Sequence, residues 1–96
     1  MHGNRKKANL FEVNCCLMCG NPNIHWHHIF YGTANRKISD RYGYIAPLCM
    51  KHHTGSEGVH FNKKLDLKLK RHAEEHFIDN YGTIEDFIRT FGKSYL

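Results

Sequence analysis

Apolar side chains recur every fourth position between residues 62 and 81, and this spacing predicts one long amphipathic helix. Its apolar residues are Leu65, Leu69, Ala73, Phe77 and Tyr81. Asn62 has the side chain of a good N-cap, and Gly82 suits the C′ position just beyond the helix. The C-terminal third of the chain is therefore expected to be largely helical.

A second, shorter helix is predicted directly after the first. Thr83 and Asp86 have the spacing of a capping box, with Asp in place of the usual Glu or Gln. The apolar face that follows consists of Ile84, Phe87, Ile88 and Phe91. Gly92 is expected to end this helix. Both helices should pack on the rest of the chain, and nothing in them has a catalytic pattern.

The pattern in the first two thirds of the chain predicts short extended segments. A strand is expected within residues 24–31, and a second one at residues 44–46 is expected to end at Pro47. Residues 32–43 are rich in turn formers and positive charge, which predicts a polar loop. A short helix is expected from Leu48 to about Thr54. The predicted fold class is small α+β.

Length and composition limit the architecture to a single domain. A chain of 96 residues with 41% hydrophobic residues builds a core of marginal size, which a structural metal would help to stabilise. We expect a basic N-terminal arm at residues 1–14, a core at 15–62 and helices at 63–96. No stretch approaches the roughly 20 apolar residues of a membrane span, and no leader pattern is present, so a cytoplasmic protein with reduced thiols is expected.

Charge is distributed unevenly along the chain. Residues 1–73 carry twelve Lys or Arg and four Asp or Glu, whereas residues 74–96 carry two and five. A basic surface favours phosphate-bearing partners, although ordinary solubilising charge is an equally good explanation of the net charge by itself. Beside the histidines described next, nucleic acid becomes the better interpretation.

Cysteine and histidine are concentrated in two blocks that have the spacing of a zinc site. Cys16 and Cys19 form a Cys-x-x-Cys pair, and Cys49 and His52 form a Cys-x-x-His pair about thirty residues later. Together they predict a structural Cys₃His zinc site. Cys15 could replace Cys16, but Met18 would then fall at the second ligand position, so Cys15 is interpreted as a small core residue. A redox dithiol would leave the second pair unexplained.

Eight histidines remain after the zinc site is filled, and four of them lie in the motifs: His27, His28, His53 and His60. The side chains of neighbouring residues point in different directions on a helix or a strand. The two histidines of the pair His27–His28, and likewise those of the pair His52–His53, can therefore serve different centres. One histidine could then bind a metal while another, neutral, accepts a proton from water. His25 alternates with His27 and is an alternative metal ligand.

The order of these motifs resembles the HNH endonuclease family, the zinc-containing branch of the ββα-metal (His-Me finger) nucleases, and in particular small proteins of phages and prophages. The resemblance covers residues 15–62 and comprises Cys-x-x-Cys, then His-His-Ile, then Leu-Cys-x-x-His-His and a later His. It implies a ββα-metal, treble-clef-like finger. It further implies His28 as general base, His27 as the first ligand of a catalytic metal, and His53 and His60 as helix-side residues that bind the metal or contact the scissile phosphate.

The chain departs from the family's pattern at two points. The central Asn that orients the base in the family is replaced by Tyr44 at its expected position. Asn35 is the candidate for this base-orienting role, unless orientation is achieved differently. The interval between His53 and His60, with its two glycines, is the other departure.

The resemblance implies a DNA endonuclease that uses one divalent metal, Mg²⁺, Mn²⁺, Ni²⁺ or Zn²⁺, and leaves 5′-phosphate and 3′-hydroxyl ends. An all-histidine ligand set favours a transition metal over magnesium. DNA is the expected partner, with a homodimer or another phage or host DNA-processing protein as further possibilities. Arg36, Lys37 and Arg41 are candidates for contacts with the DNA backbone, or else a solvated loop.

Two other functions stay open on the sequence. One is a non-catalytic zinc module that binds nucleic acid, and the other is a protein-interaction or redox zinc domain. Trp26 is interpreted as a core residue rather than a base-stacking platform. Three histidines outside any motif, His2, His72 and His76, are expected on the surface or on a helix face.

Overall fold

Within the described part of the chain, six regular elements and one 3₁₀ turn build the fold. The computed structural model of the chain describes residues 7–55 and 58–96. In chain order the elements are β1 (His25–His28), α1 (Thr33–Tyr42), β2 (Ile45–Leu48), α2 (Met50–His53), a 3₁₀ turn (Val59–Phe61), α3 (Lys63–Asn80) and α4 (Ile84–Phe91). The predicted α+β class is confirmed. His2 and the start of the basic arm lie outside the described residues.

The two strands pair in antiparallel orientation, with His27 opposite Ala46 and His28 opposite Ile45. Pro47, which was expected to end the second strand, instead lies inside β2 opposite Trp26. Each strand of a two-stranded sheet has one edge that pairs with no other strand, so a residue without an N–H can be tolerated there. This strand reaches Leu48 and therefore leads directly to Cys49.

Helix α1 corrects the prediction of a polar loop at residues 32–43. Its mean hydropathy is low, but Ser39 is fully buried and ties the helix to the chain after β1. The Ser39 hydroxyl accepts a hydrogen bond from the Phe30 N–H at 3.1 Å and donates one to the Phe30 carbonyl at 2.9 Å. Gly43 ends the helix at φ 72°, a left-handed conformation that suits glycine. Tertiary contacts therefore specify this helix.

Helices α3 and α4 agree with the prediction. The Asn62 side chain accepts a hydrogen bond from the Leu65 N–H at 3.0 Å, as an N-cap does. Thr83 and Asp86 form the reciprocal capping box. Gly92 follows α4 at φ 102°.

An aromatic core lies between these helices and the sheet. Phe30 is at its centre, 4.3 Å between ring centroids from Phe91 and 5.5 Å from Phe87. Tyr44 is also fully buried, and Trp26 packs against the edge of this core, as expected. The core holds β1, α1 and α4 together, and thereby sets where the histidines of β1 point.

No helix in residues 7–55 or 58–96 has the combination of length and apolar character needed to cross a membrane.

Candidate metal centres

The first candidate centre lies where a tight turn before β1 meets the start of α2. The Gly20 N–H donates to the Cys16 carbonyl at 2.8 Å, and Gly20 has φ 77°, so the turn brings Cys16 and Cys19 to one side. The Leu17 N–H donates to the Pro47 carbonyl at 3.0 Å, which docks this turn beside the end of β2.

The four predicted zinc ligands converge as the sequence indicated. Cys16, Cys19, Cys49 and His52 each offer one ligand atom within 4.8 Å of the others. The Cys19 and Cys49 sulfurs are 3.7 Å apart, and the Cys49 sulfur is 3.2 Å from His52 Nδ1. Two sulfurs at the usual distance from a tetrahedral zinc are about 3.8 Å apart. This cluster could therefore hold a metal ion such as zinc with little rearrangement.

The chemistry of the thiols also suits a metal. Burial raises the pKa of Cys16, but hydrogen bonds from the backbone of Cys49, Met18 and Cys19 outweigh burial and lower that pKa to about 6. A thiolate is the form that ligates zinc. Cys15 is half-buried and stands outside the cluster.

A second cluster is formed by His27, His53 and His60, whose ligand atoms also lie within 4.8 Å of one another. The ring centroid of His27 is 5.3 Å from that of His53 and 5.4 Å from that of His60. The ring centroids of His53 and His60 are 4.9 Å apart. We call these three residues the histidine triad. His27 is buried, His53 is half-buried and His60 is exposed, so the triad is open to solvent on one side.

The two glycines between His53 and His60 allow the chain to fold back. A Cβ on Gly58 would lie 2.5 Å from the His53 carbonyl oxygen, and one on Gly55 would lie 2.7 Å from the Lys51 carbonyl oxygen. Neither position tolerates a side chain without backbone movement. The interval that departs from the family's pattern therefore returns His60 to His53.

Two properties of the His27 side chain suit a metal ligand, namely a buried nitrogen without a hydrogen-bond partner and a lowered pKa. Among the described residues, two buried side-chain nitrogens lack a hydrogen-bond partner, His27 Nε2 and Trp26 Nε1. Burial, followed by the charges of His53 and His60, lowers the pKa of His27 to about 3. Its imidazole is therefore neutral at neutral pH and retains the lone pair that a metal requires.

His25 lies beside the triad on the same face of β1. Its Nδ1 is 3.4 Å from His53 Nδ1, so one of the two nitrogens can donate to the other. A histidine ligand commonly uses its second ring nitrogen in this way, which fixes the ring. Burial and the charges of His60 and His25 lower the pKa of His53, which favours its neutral form.

His28 points away from the triad's ligand face and contacts helix α1. Its Nε2 lies 3.0 Å from Asp40 Oδ1, and both side chains are partly exposed. Asp40 was not among the predicted site residues, although one signal was present in the sequence: it is the only Asp or Glu between Glu12 and Glu57. An isolated carboxylate in so basic a stretch is a natural partner for a histidine.

Asn35, the candidate for the base-orienting role, and Tyr44, at the position expected for the family's central Asn, make other contacts. The Asn35 amide donates to the Phe91 carbonyl at 3.3 Å and joins α1 to α4. The Tyr44 hydroxyl lies 3.0 Å from His76 Nδ1 in the core. Neither of these contacts involves His28. His76 is thus a core-edge residue, while His72 is exposed and stacks on Phe11.

The three basic residues of α1 named as candidates for DNA contacts, Arg36, Lys37 and Arg41, are exposed. Arg36 and Lys37 precede Asp40 by four and three residues, so they share its face of the helix. That face adjoins His28, and Arg41 lies in the last turn. The helix therefore presents positive charge beside the partly exposed imidazole.

Comparison with known proteins leaves this chain without a match. No family model matches it, and no curated protein or solved structure is similar to it at a significant level.

Proposed function

We propose that the chain is a metal-dependent DNA endonuclease of the HNH type. The observation that carries this proposal is the histidine triad, which lies apart from the Cys₃His cluster yet close to a histidine paired with a carboxylate. A solvent-open set of three protein ligands suits a catalytic metal, because such a metal keeps one coordination position open for water or substrate.

His28 is the general base of the proposed reaction. Asp40 accepts the hydrogen on His28 Nε2, which leaves Nδ1 of the neutral ring as the proton acceptor. Nδ1 takes a proton from water as the water oxygen bonds to phosphorus. The bond from phosphorus to the 3′ oxygen breaks and that oxygen takes a proton from solvent water, so the products are a 5′-phosphate and a 3′-hydroxyl.

His27, His53 and His60 would hold the catalytic metal. When bound, a divalent ion supplies Lewis-acid stabilisation of the negative charge that develops on the phosphate. Three imidazole ligands favour a transition metal such as Ni²⁺ or Zn²⁺ over Mg²⁺. The exposed side of His60 leaves room for the substrate.

The fold supports the proposal through the order of its elements. Two antiparallel strands are followed by α2, and the triad takes His27 from β1 and His53 from α2. This order is the one expected of a ββα-metal finger with α1 inserted between its two strands. The exposed Arg36, Lys37 and Arg41 of α1 would bind the DNA backbone on the side of His28.

The test is cleavage of supercoiled plasmid by the purified chain with Mg²⁺, Mn²⁺ or Ni²⁺, and with EDTA. We expect metal-dependent nicking that is lost in His28→Ala by a factor of about 10² to 10⁴. His72→Ala is the matched control, since His72 is an exposed histidine outside both clusters. Folded, zinc-loaded protein that shifts DNA but cleaves it with none of these metals would overturn the proposal in favour of a binding module.

A further inference from the structure

A buried lysine lies next to the proposed active site without a part in the mechanism above. Lys70 of α3 is 9% exposed, although lysine is among the residues least often buried. Its Nζ donates to Asp66 at 2.9 Å and to the Tyr31 hydroxyl at 3.3 Å. It also lies 4.3 Å from the centroid of the Tyr31 ring. An ammonium group held by several contacts is expected to orient the side chains that accept its hydrogen bonds.

The Lys70 side chain is charged at neutral pH. Burial lowers its pKa, but hydrogen bonds to Asp66 and Tyr31 outweigh burial and raise it. Asp66 provides the opposing charge one helical turn earlier. The Tyr95 ring lies 5.2 Å from Nζ on another side, so several elements hold the group in place.

The direction of the hydrogen bond between Lys70 and Tyr31 decides whether the Tyr31 hydroxyl can donate its own hydrogen to a ligand. An ammonium group has three donors and no acceptor, so the Tyr31 oxygen must be the acceptor in this contact. The hydroxyl hydrogen of Tyr31 is therefore free to be donated to another group. The nearby positive charge also makes that hydroxyl a stronger donor.

Tyr31 lies at the edge of the histidine triad. Its ring centroid is 6.0 Å from that of His27 and 6.3 Å from that of His60. The residue is 48% exposed, so a bound strand can reach it. The arrangement places an exposed tyrosine with an available hydroxyl hydrogen beside His27 and His60 of the proposed metal site.

We propose that the Tyr31 hydroxyl donates a hydrogen bond to a non-bridging phosphate oxygen of the DNA strand bound at the triad, with Lys70 as its positioning residue. This inference rests on the proposed function, since the triad is taken as the place where the strand binds. It identifies the Tyr31 side of the site as a contact with the nucleic-acid backbone, in addition to the basic residues of α1.

The test measures the affinity of the protein for a short DNA duplex in a His28→Ala background, where cleavage does not interfere. Tyr31→Phe keeps the ring and its packing but removes the donor, and it should weaken binding about tenfold. Lys70→Met keeps most of the stem and should cause a similar loss. Because both act through one hydrogen bond, the double variant should lose no more than either single variant.

Tyr81→Phe is the matched control, because Tyr81 is a similarly exposed tyrosine at the far end of α3. Its affinity should equal that of the parent. The dependence of affinity on salt separates two roles for Lys70. A direct phosphate contact would lower the slope of log K against log salt by about 0.9 in Lys70→Met, whereas a positioning role leaves the slope unchanged.

Unchanged affinity in Tyr31→Phe, or additive losses in the double variant, would overturn this inference. A wild-type chain that nicks plasmid while Tyr31→Phe binds like the parent would remove the inference and keep the nuclease. A wild-type chain that does not cleave, but binds DNA in a Tyr31-dependent way, would remove the nuclease and keep the contact. Absence of duplex binding by the folded parent would remove both.

Discussion

His28 at the end of β1 and Asp40 in the last turn of α1 lie 3.0 Å apart, from His28 Nε2 to Asp40 Oδ1. This contact connects the strand that carries the proposed base to the helix that carries the proposed DNA contacts. It also assigns a role to the one carboxylate in an otherwise basic stretch. In the family that the motifs resemble, an Asn orients the base, and here we infer that Asp40 does so from a different element.

Replacement of Asp40 should affect the turnover rate rather than substrate binding. We expect Asp40→Ala to lower kcat for plasmid nicking by about 10- to 100-fold with little change in KM, because the His28 ring loses its orientation. Asp40→Asn should keep most of the activity, since the amide oxygen can still accept from Nε2. Asp79→Ala, which removes an exposed carboxylate of α3, is the control. Wild-type kcat in Asp40→Ala would rule out the positioning role.

Metal stoichiometry should reveal the two centres separately. The wild-type chain is expected to bind one ion at the Cys₃His cluster and another at the histidine triad. His60→Ala should lose the second ion and keep the first, as measured by titration calorimetry with Ni²⁺ and by elemental analysis. His72→Ala should keep both. If His60→Ala still binds two ions, the triad is not a metal site.

Loss of a thiolate from the Cys₃His cluster should unfold the chain. Cys49 caps α2 and lies at the end of β2, so Cys49→Ser removes a ligand where three elements meet. Since binding of a structural zinc is part of the folding free energy, we expect loss of the cooperative thermal transition in circular dichroism. Cys15→Ser, which leaves all four proposed ligands in place, should retain it. A folded, zinc-free Cys49→Ser protein would contradict a structural role for the metal.

Acid should destabilise the fold through His27. The unfolded chain takes up a proton at the ordinary histidine pKa of about 6.5, while folded His27 stays neutral down to about pH 3. The unfolded state therefore binds more protons within this range, and the free energy of unfolding should fall as the pH falls from 6.5 towards 3. Above pH 6.5 His27 is neutral in both the folded and the unfolded state, so it adds no pH dependence to the free energy of unfolding.

Urea unfolding at several pH values, without added metal, measures this dependence. His27→Gln should reduce the slope between pH 6.5 and 3, whereas His72→Gln should leave it unchanged because that side chain is exposed. Comparison between variants cancels the effect of acid on the cysteine ligands. If His27→Gln does not fold, NMR titration of the His27 ring in the wild-type chain measures its pKa directly. Protonation of this ring near pH 6.5 in the folded protein would contradict the prediction.

The local pattern of the sequence was sufficient for features that depend on neighbours within a few residues. The fourfold spacing of α3, the Asn62 cap and the capping box at Thr83 were predicted and are present. The pairing of Cys16 with Cys19, and of Cys49 with His52, as neighbouring ligands was also predicted and is present. A turn of four residues is enough to direct two such side chains to one side. The divergence of adjacent histidines also followed from the periods of helix and strand.

Tertiary structure decided everything that depends on distant partners. Helix α1 forms in a segment of loop-like composition because buried Ser39 bonds to Phe30, nine residues away. Pro47 stays in its strand because no further strand among the described residues pairs with the outer edge of β2, where the Pro47 carbonyl accepts from the Leu17 N–H and no Pro47 N–H is needed. Asp40 reaches His28 across twelve residues, and Lys70 reaches Tyr31 across thirty-nine. Periodicity and spacing carry only short-range information, so pairs at these separations are set when the packed core brings their elements together.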